Sequence, residues 1–467
     1  MHSQVLALYH CLPPSARSAA ATLRGWYLNL WRNSGEREQL TQEVLERDTW
    51  SAAQWATWQQ ERIAYVLHRA ATRVPFYRDQ WDARRRAGDR ASWELLENWP
   101  VLEKESVRAN PKAFLGDDCD PRRMYKEQTS GTTGTPLTIY RSRTTVSTLY
   151  AIAHARTRAW DGIPEGARWA RFGGQLVTPV QQRKPPFWVW NAAMKQLYMS
   201  GYHLAIDLMP HYLDALIKYR ITYLSGYPSA IHALAQQALR LERRDLHMDA
   251  VYTNAEPLSA EQRRTISAAF HCPVRQTYGM AETVAAASEC SATRLHQWPE
   301  AGHVEVSGDG DFVCTGLLNV DMPLVRYRVG DRGKLATEQT PCGCGRSLPV
   351  MSEIEGRADD LLITRDGRSA AAVDVVLDGI QWIREAQIVQ EELDLIRVRI
   401  AAAPGFTAAH EHTITMGLRE RMGEVRVIVD RVDAVPRTSN GKLRAIVCNL
   451  SPAERTAALG RGATVTT

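Results

Sequence analysis

The segment Lys126-Glu-Gln-Thr-Ser-Gly-Thr-Thr-Gly-Thr-Pro-Leu137 constrains this chain more than any other stretch. Its glycines leave the backbone free to turn, and its N–H groups and hydroxyls can wrap the oxygens of a phosphate. No Gly-Lys-Ser/Thr follows, which excludes a Walker A loop. Thr138-Ile139-Tyr140 reads as a strand, whereas a Walker A loop opens a helix. The expectation is therefore a phosphate-binding loop between two strands.

Length and composition set the frame for that loop. A chain of 467 residues is too long for one ordinary core and implies two or three domains. Its 44% hydrophobic and 23% charged content is that of a soluble globular protein. A net charge of +5 without any block of like charge fits anionic ligands such as nucleotides and argues against a nucleic-acid groove. No apolar run reaches the roughly 18 residues of a membrane span. Met1 to Leu12 lacks a basic n-region, and Pro13-Pro14 follows without a cleavage site, so no secretory signal is read. A cytoplasmic location and reduced cysteines are expected. Trp26, Tyr27, Leu30 and Trp31 stand among basic residues and read as a packed helix, with weak peripheral membrane contact as the alternative.

Periodicity divides the chain. Residues 1–115 read as a helical region in which Ile63, Val66, Leu67, Ala70 and Val74 form a buried stripe that Pro75 ends. The middle alternates. Helices are expected around Leu213–Ile217 and Ile231–Ala238, and strands at Ile221–Leu224, Ala250–Thr253 and Val274–Thr277. Ser259 and Gln262 have capping-box spacing. Such alternation predicts an α/β fold with a helix-covered parallel sheet. Residues 303–331 then switch to short antiparallel strands, and the last hundred residues read as a small α+β domain. The expected units are 1–115, 116–356 and 357–467.

Residues 129–136 resemble the phosphate-binding signature of the adenylate-forming superfamily of acyl-CoA synthetases and nonribosomal adenylation domains. Three further segments resemble that superfamily's motifs in its order: Tyr278-Gly-Met-Ala-Glu282 for adenine and magnesium, Arg326-Tyr-Arg-Val-Gly-Asp331 for ribose, and Pro436-Arg-Thr-Ser-Asn-Gly-Lys442 for the catalytic lysine. Together they span about two-thirds of the chain. Val74-Pro-Phe-Tyr-Arg78, Gly226-Tyr-Pro-Ser229, Met322-Pro-Leu-Val-Arg-Tyr-Arg328 and Cys342-Gly-Cys-Gly-Arg346 resemble phenylacetate–CoA ligases and their capsular-polysaccharide-associated relatives.

The resemblance implies a large multi-subdomain adenylate-forming domain with parallel sheets, followed by a mobile α+β domain. It also implies roles. Thr129 and Thr132, with Ser130, Gly131, Thr133, Gly134 and Thr135, would stabilise the pyrophosphate leaving group of ATP. Glu282 would hold Mg²⁺, a hard cation that prefers oxygen. Tyr278 and Gly279 would face adenine, with Asn254, Ala255 and Glu256 on the adenine side. Asp331 and Arg357 would meet the ribose, Asp359 would be the pivot between domains, and Lys442 would bring positive charge to the attacking carboxylate. His203, Tyr227 and Pro228 are candidates for the wall of the acid pocket. Singly, these residues read equally well as a core tyrosine, a core histidine or surface charges. One departure stands out: the superfamily usually has a hydroxyl residue just before the magnesium glutamate, and here that position is Ala281.

Among eight cysteines, Cys290, Cys342 and Cys344 combine with His296 as Cys-x₅-His followed by Cys-x-Cys. Three thiolates and an imidazole match a closed tetrahedral structural zinc site, with His303 and Cys314 in reserve and packed reduced thiols as the alternative. The expected function is ATP-dependent activation of a carboxylic acid, followed by transfer to CoA. The alternatives are transfer to an amine, possibly in polysaccharide modification, or an inactive nucleotide-binding partner protein.

Overall fold

The computed structural model describes all residues except 1–7, 33–34, 129–136, 174, 180–181, 205–206, 337–341, 358–361, 366–368, 371–372, 378–379, 381, 438–442, 452, 456 and 459–467. Local chemistry sets the helix ends. Helices α1 (Pro14–Arg32) and α2 (Arg37–Arg47) precede α3 (Ala52–Arg73), which opens on a Ser51–Gln54 capping box. Val66, Leu67, Ala70 and Val74 are fully buried, as their spacing predicts. Pro75 ends α3 and also opens α4 (Pro75–Arg86), at a position where its missing N–H costs nothing. Helix α5 (Lys104–Ala109) follows. Strands β1 (Tyr125–Gln128) and β2 (Thr138–Arg141) pair antiparallel from Tyr125↔Arg141 to Gln128↔Thr138, so the Gly/Ser/Thr segment does connect two strands.

After α6 (Arg143–Ala155), the chain lays down β3 (Trp169–Gly173), β4 (Trp188–Asn191) and β5 (Gln196–Ser200). Next come α7 (Met209–Lys218), β6 (Tyr223–Gly226), α8 (Pro228–Arg240) and β7 (Ala250–Thr253). Then follow α9 (Ala260–Phe270), which starts in the Ser259–Gln262 capping box, and β8 (Val274–Gly279). The strand expected at Ile221–Leu224 lies two residues later, because Arg220 adopts a left-handed turn (φ 53°) after α7. The antiparallel part comprises β9 (Ala286–Glu289), β10 (Leu295–Gln297), β11 (Gly302–Val306), β12 (Asp311–Gly316), β13 (Tyr327–Leu335) and β14 (Val350–Arg357).

The parallel and antiparallel parts are one sheet of twelve strands, in the order β11-β12-β13-β14-β10-β9-β8-β7-β6-β3-β5-β4. They join within β8. Val274–Gln276 pair parallel with β7, and Thr277–Gly279 pair antiparallel with β9.

Helix α1 runs along the edge strand β4, where Gly25 permits close approach: a Cβ there would lie 2.2 Å from Asn191 Oδ1. Its other face leaves Leu23, Trp26, Tyr27 and Leu30 more than half exposed, while Trp31 turns in beside Tyr125. A packed helix therefore accounts for only one side of α1. Among the described residues no helix is long and apolar enough to cross a membrane.

The C-terminal part has its own core. After the short pair β15 (Leu362–Ile363) and β16 (Ser369–Ala370), β17 (Ile383–Glu392), β18 (Leu395–Ala402), β19 (Arg426–Arg431) and β20 (Ile446–Cys448) form a sheet in the order β19-β18-β17-β20. Helix α10 (Ala408–Met422) packs Ile414 and Leu418 against Ile388, Val398 and Ile400.

One buried ion network ties the helices to the sheet. Arg156, wholly inaccessible, donates to Asp48 at 2.9 Å and to both oxygens of Glu300 at 2.6 and 2.9 Å. Removing one partner of such a set strands the other charges in the interior. Arg156→Met is expected to lower stability in urea unfolding by roughly 3–5 kcal/mol. A loss under about 1 kcal/mol would show that the network is solvated.

Candidate active site

The residues of the sequence motifs gather at the carboxyl ends of adjacent parallel strands, where open α/β sheets bind ligands. Tyr227-Pro228 follows β6, Asn254–Glu256 follows β7, and Tyr278–Glu282 spans the end of β8. The turn after β7 is held by Ala255 at φ 65°, a left-handed conformation that costs a non-glycine residue roughly 1–2 kcal/mol. That turn aims Glu256 back at the sheet end.

Tyr278 and Asp331 meet directly, the Tyr278 hydroxyl donating to Asp331 Oδ2 at 2.8 Å. Burial and the nearby carboxylate push the Tyr278 phenol well above its ordinary value, so it remains a donor. The ring packs edge-on to Phe312. Asp331 on β13 is the register partner of Arg357 on β14, which places the two expected ribose residues opposite each other. The side chain of Arg357 and the whole of Asp359 lie outside the described residues.

Glu282 is buried, and its Oε1 accepts from Lys104 Nζ at 2.9 Å and from the Tyr327 hydroxyl at 2.9 Å. Tyr327 comes from the Arg326–Asp331 segment, whereas Lys104 lies in no motif. Lys104 arrives because Leu102 forms a parallel bridge with Tyr327: the Leu102 N–H donates to Arg326 O, and the Arg328 N–H to Leu102 O. Arg141, at the end of β2, is also buried. Its guanidinium reaches Glu127, the Ala281 carbonyl and, at 2.7 Å, the Thr283 hydroxyl. The strand that leaves the phosphate-loop segment is thus fastened to the turn carrying Glu282. A hydroxyl residue does adjoin the glutamate, on the side opposite Ala281, but it is engaged by Arg141.

The Glu256 carboxylate is also occupied. Oε2 accepts the Ser229 N–H at 3.1 Å, in the first turn of α8, and Oε1 accepts the Leu443 N–H at 2.8 Å. Burial raises its pKa, opposed by these hydrogen bonds and by Arg437. Lys442 precedes Leu443 in the chain but lies outside the described residues, as do Thr129, Ser130, Gly131, Thr132, Thr133, Gly134 and Thr135.

The acid-pocket candidates divide. Tyr227 is half-buried beside Glu256, and burial pushes its hydroxyl up to about 12. Pro228 opens α8 and is buried. His203 does not fit a pocket wall. It is buried, with Nδ1 2.8 Å from Ser200 Oγ, Nε2 3.0 Å from the Pro179 carbonyl, and its ring stacked on Phe187. It packs as a core histidine with both nitrogens engaged.

The cysteine cluster assembles away from this cleft. Ligand atoms of Cys290, His296, Cys342 and Cys344 all lie within 4.8 Å of one another. Cys290 Sγ is 3.7 Å from Cys342 Sγ, against about 3.8 Å between sulfurs of a tetrahedron with metal–sulfur bonds near 2.3 Å. His296 Nε2 is 3.4 Å from Cys344 Sγ, while Nδ1 is 3.0 Å from the Leu348 carbonyl. A donated Nδ1–H there leaves the Nε2 lone pair facing the thiols, as metal-binding histidines require. Burial keeps His296 neutral and pushes the Cys290 thiol up to about 11, a cost that a divalent cation would reverse. The donor set therefore fits zinc. The reserve ligands are elsewhere: His303 meets Gln59, and Cys314 is buried in β12.

Comparison with known proteins places this geometry. Residues 54–308 match the AMP-binding enzyme family, and residues 362–449 match the CapK C-terminal domain. The chain is 25% identical to Protein CapK of Staphylococcus aureus over 383 residues, covering 78% of this chain and 82% of that protein. It is 24% identical to phenylacetate-coenzyme A ligase of Pseudomonas putida, covering 66% and 71% respectively. Among solved structures, 2-hydroxyisobutyryl-CoA ligase in the postadenylation state with 2-HIB-AMP aligns over 90% of this chain and 94% of its own, at 20% identity and a TM-score of 0.64. The same enzyme with 2-HIB-AMP and CoA in the thioesterification state aligns over 89% and 94%, at 19% identity and a TM-score of 0.51.

The pairing of Lys104 with Glu282 can be tested without any substrate. Lys104→Met leaves a buried carboxylate short of a donor and is expected to cost about 1–3 kcal/mol in denaturant unfolding. Adding Glu282→Gln should recover much of that loss. Strict additivity of the two changes would count against the pair.

Proposed function

The chain belongs to the AMP-binding enzyme family, and from that premise we propose that it joins a carboxylic acid to coenzyme A through an acyl-adenylate. The observation that carries this reading is the placement of Glu256, Tyr278 and Glu282 at the ends of β7 and β8, where Tyr278 meets Asp331 of β13, with the segment after Lys442 hydrogen-bonded to Glu256. The likeness to phenylacetate-coenzyme A ligases supports CoA as the acceptor.

In the first step a carboxylate oxygen attacks the α-phosphorus of ATP and pyrophosphate leaves. In the second, the CoA thiol attacks the acyl carbon, AMP departs with the bonding electron pair, and the thiol proton goes to solvent. Both reactants of the first step are anions, so catalysis is mainly charge neutralisation and alignment. Lys442 supplies a cation to the acid and α-phosphate, and residues 129–135 supply N–H and hydroxyl donors to the leaving pyrophosphate. Tyr278 and Asp331 orient the nucleoside, with Asp331 accepting from ribose hydroxyls. Glu282 is suited to hold Mg²⁺, and Lys104 keeps that buried carboxylate compensated until the ion and nucleotide arrive. Bound Mg²⁺ would supply charge neutralisation across the phosphates. The backbone follows the postadenylation form of the 2-hydroxyisobutyryl enzyme more closely than its thioesterification form, which supports a later domain rotation through the segment after Gly356. We also assign a structural zinc ion to Cys290, His296, Cys342 and Cys344.

A pyrophosphate-release screen over carboxylic acids, with CoA and with hydroxylamine, tests the reaction. Release coupled to thioester formation is expected. Release without CoA consumption would move the acceptor to an amine, and silence with every acid despite ATP binding would remove the enzymatic reading. Lys442→Ala should abolish adenylation yet leave thioester formation from supplied acyl-adenylate largely intact. Purified protein should carry one zinc per chain, and Cys344→Ser should reduce that content severalfold. A metal-free, fully stable protein would exclude the assignment.

A further inference from the structure

One carboxylate in the cleft joins the two halves of the molecule. Glu256 is half-buried, and each of its oxygens accepts a different backbone N–H: Ser229 in the first turn of the thirteen-residue helix α8, and Leu443, the residue after Lys442. Arg437 and Leu443 form an antiparallel bridge, so the described residues on either side of 438–442 pair as the two legs of a hairpin. The other leg reaches the same helix end, with Arg437 Nη1 3.5 Å from Ser229 Oγ. Arg437 also pairs with Glu385 on β17, which fixes the hairpin to the C-terminal sheet.

We propose that Glu256 is a positioning residue that latches the Lys442 hairpin onto the large domain for adenylation and releases it for the second half-reaction. The proposal rests on the two-step reading above and assigns Glu256 a part different from an adenine contact. Two features suit a latch that must open. The bond across the interface is made to a backbone N–H, so its geometry follows the path of the hairpin and not a side-chain rotamer. The second oxygen is held within the large domain by the start of α8, where helix N–H groups favour negative charge. When the hairpin leaves, Glu256 therefore stays aimed by Ser229, ready for its return. A glutamine would not serve equally, because two backbone N–H groups and the Ser229 hydroxyl bond the carboxylate, and an amide presents only one acceptor oxygen.

Hydrogen exchange on the full-length protein without ligands decides this. In Glu256→Gln and Glu256→Ala the amide of Leu443 should exchange at least tenfold faster than in wild type, while β7 and α9 keep their protection. Equal exchange at Leu443 in all three proteins overturns the latch. Faster exchange spread through β7 and α9 also overturns it, because Glu256 would then be only a structural support. A second readout uses phenylacetate as the acid. Acid-dependent ATP–pyrophosphate exchange should fall at least tenfold in Glu256→Ala, and severalfold further than thioester formation from supplied phenylacetyl-adenylate. Parallel loss of both steps overturns the proposal. If wild type turns over neither phenylacetate nor its adenylate, the ligase reading fails for that acid, and the exchange at Leu443 still decides the latch.

Discussion

A six-residue strand, β8, has to satisfy two incompatible neighbours, and the site is built where it does so. Its first half is paired parallel with β7 and its second half antiparallel with β9. At the crossover the Gln276 N–H donates to Glu289 Oε2 at 2.8 Å, and Arg263 holds the same carboxylate oxygen at 2.8 Å. A buried N–H without a partner would cost about 1–3 kcal/mol, so a side chain fills in where the ladder changes hands. Beyond that point β8 runs out into Tyr278 and the turn to Glu282. The change of pairing opens the crevice and delivers Tyr278 and the turn to Glu282 into it.

The polar groups around the crevice are already paired. Glu282 is held by Lys104 and Tyr327, Asp331 by Tyr278, Glu256 by Ser229 and Leu443, and Arg141 by Glu127 and the turn at Ala281–Thr283. An uncompensated buried charge would cost several kcal/mol per ion, comparable to the stability of a whole domain. The chain on its own therefore supplies the counter-charges and donors these groups need. Under the proposed function, binding becomes an exchange of partners, in which the cost of desolvating these groups has been met during folding.

Much of this was legible in the sequence because its signals are local. Capping boxes at Ser51 and Ser259, the α3 stripe, the strand after Pro136 and the clustering of Cys290, His296, Cys342 and Cys344 each depend on residues close together or on a few reactive types. What escaped depends on contacts between distant segments. Lys104 lies in no motif, and only the Leu102–Tyr327 bridge brings it to Glu282. Arg141 reads as the polar end of a strand until its burial against Ala281 is seen. Alternation predicts a parallel sheet and a set of hairpins, but a pattern of apolar residues carries no mark of the strand that belongs to both. For His203 and the outer face of α1 the sequence left two readings open, because composition cannot say which way a histidine or a tryptophan turns.

The cysteine cluster, remote from the cleft in sequence, sits at a seam of the same sheet. Strands β11 to β13 are inserted between β10 and β14, and the seam that closes the insertion is thin. Strands β10 and β14 share only the register pairs Leu295↔Met351 and His296↔Val350, extended by the Gln297 N–H to the Pro349 carbonyl. Cys290 and His296 flank the turn before this seam, and Cys342 and Cys344 stand just ahead of β14, so the cluster crosses the sheet where its ladder is weakest. Arg346 carries the brace outward, lying 4.2 Å over the Trp160 ring, whose Nε1 donates to Asp48 in the buried network of Arg156. Asp331 and Arg357 stand on β13 and β14, beyond that seam. A loosened seam would let those two strands shift against β8, separating Asp331 from Tyr278 without touching either. An effect of the cluster on Tyr278 and Asp331 would then run through the register of the sheet.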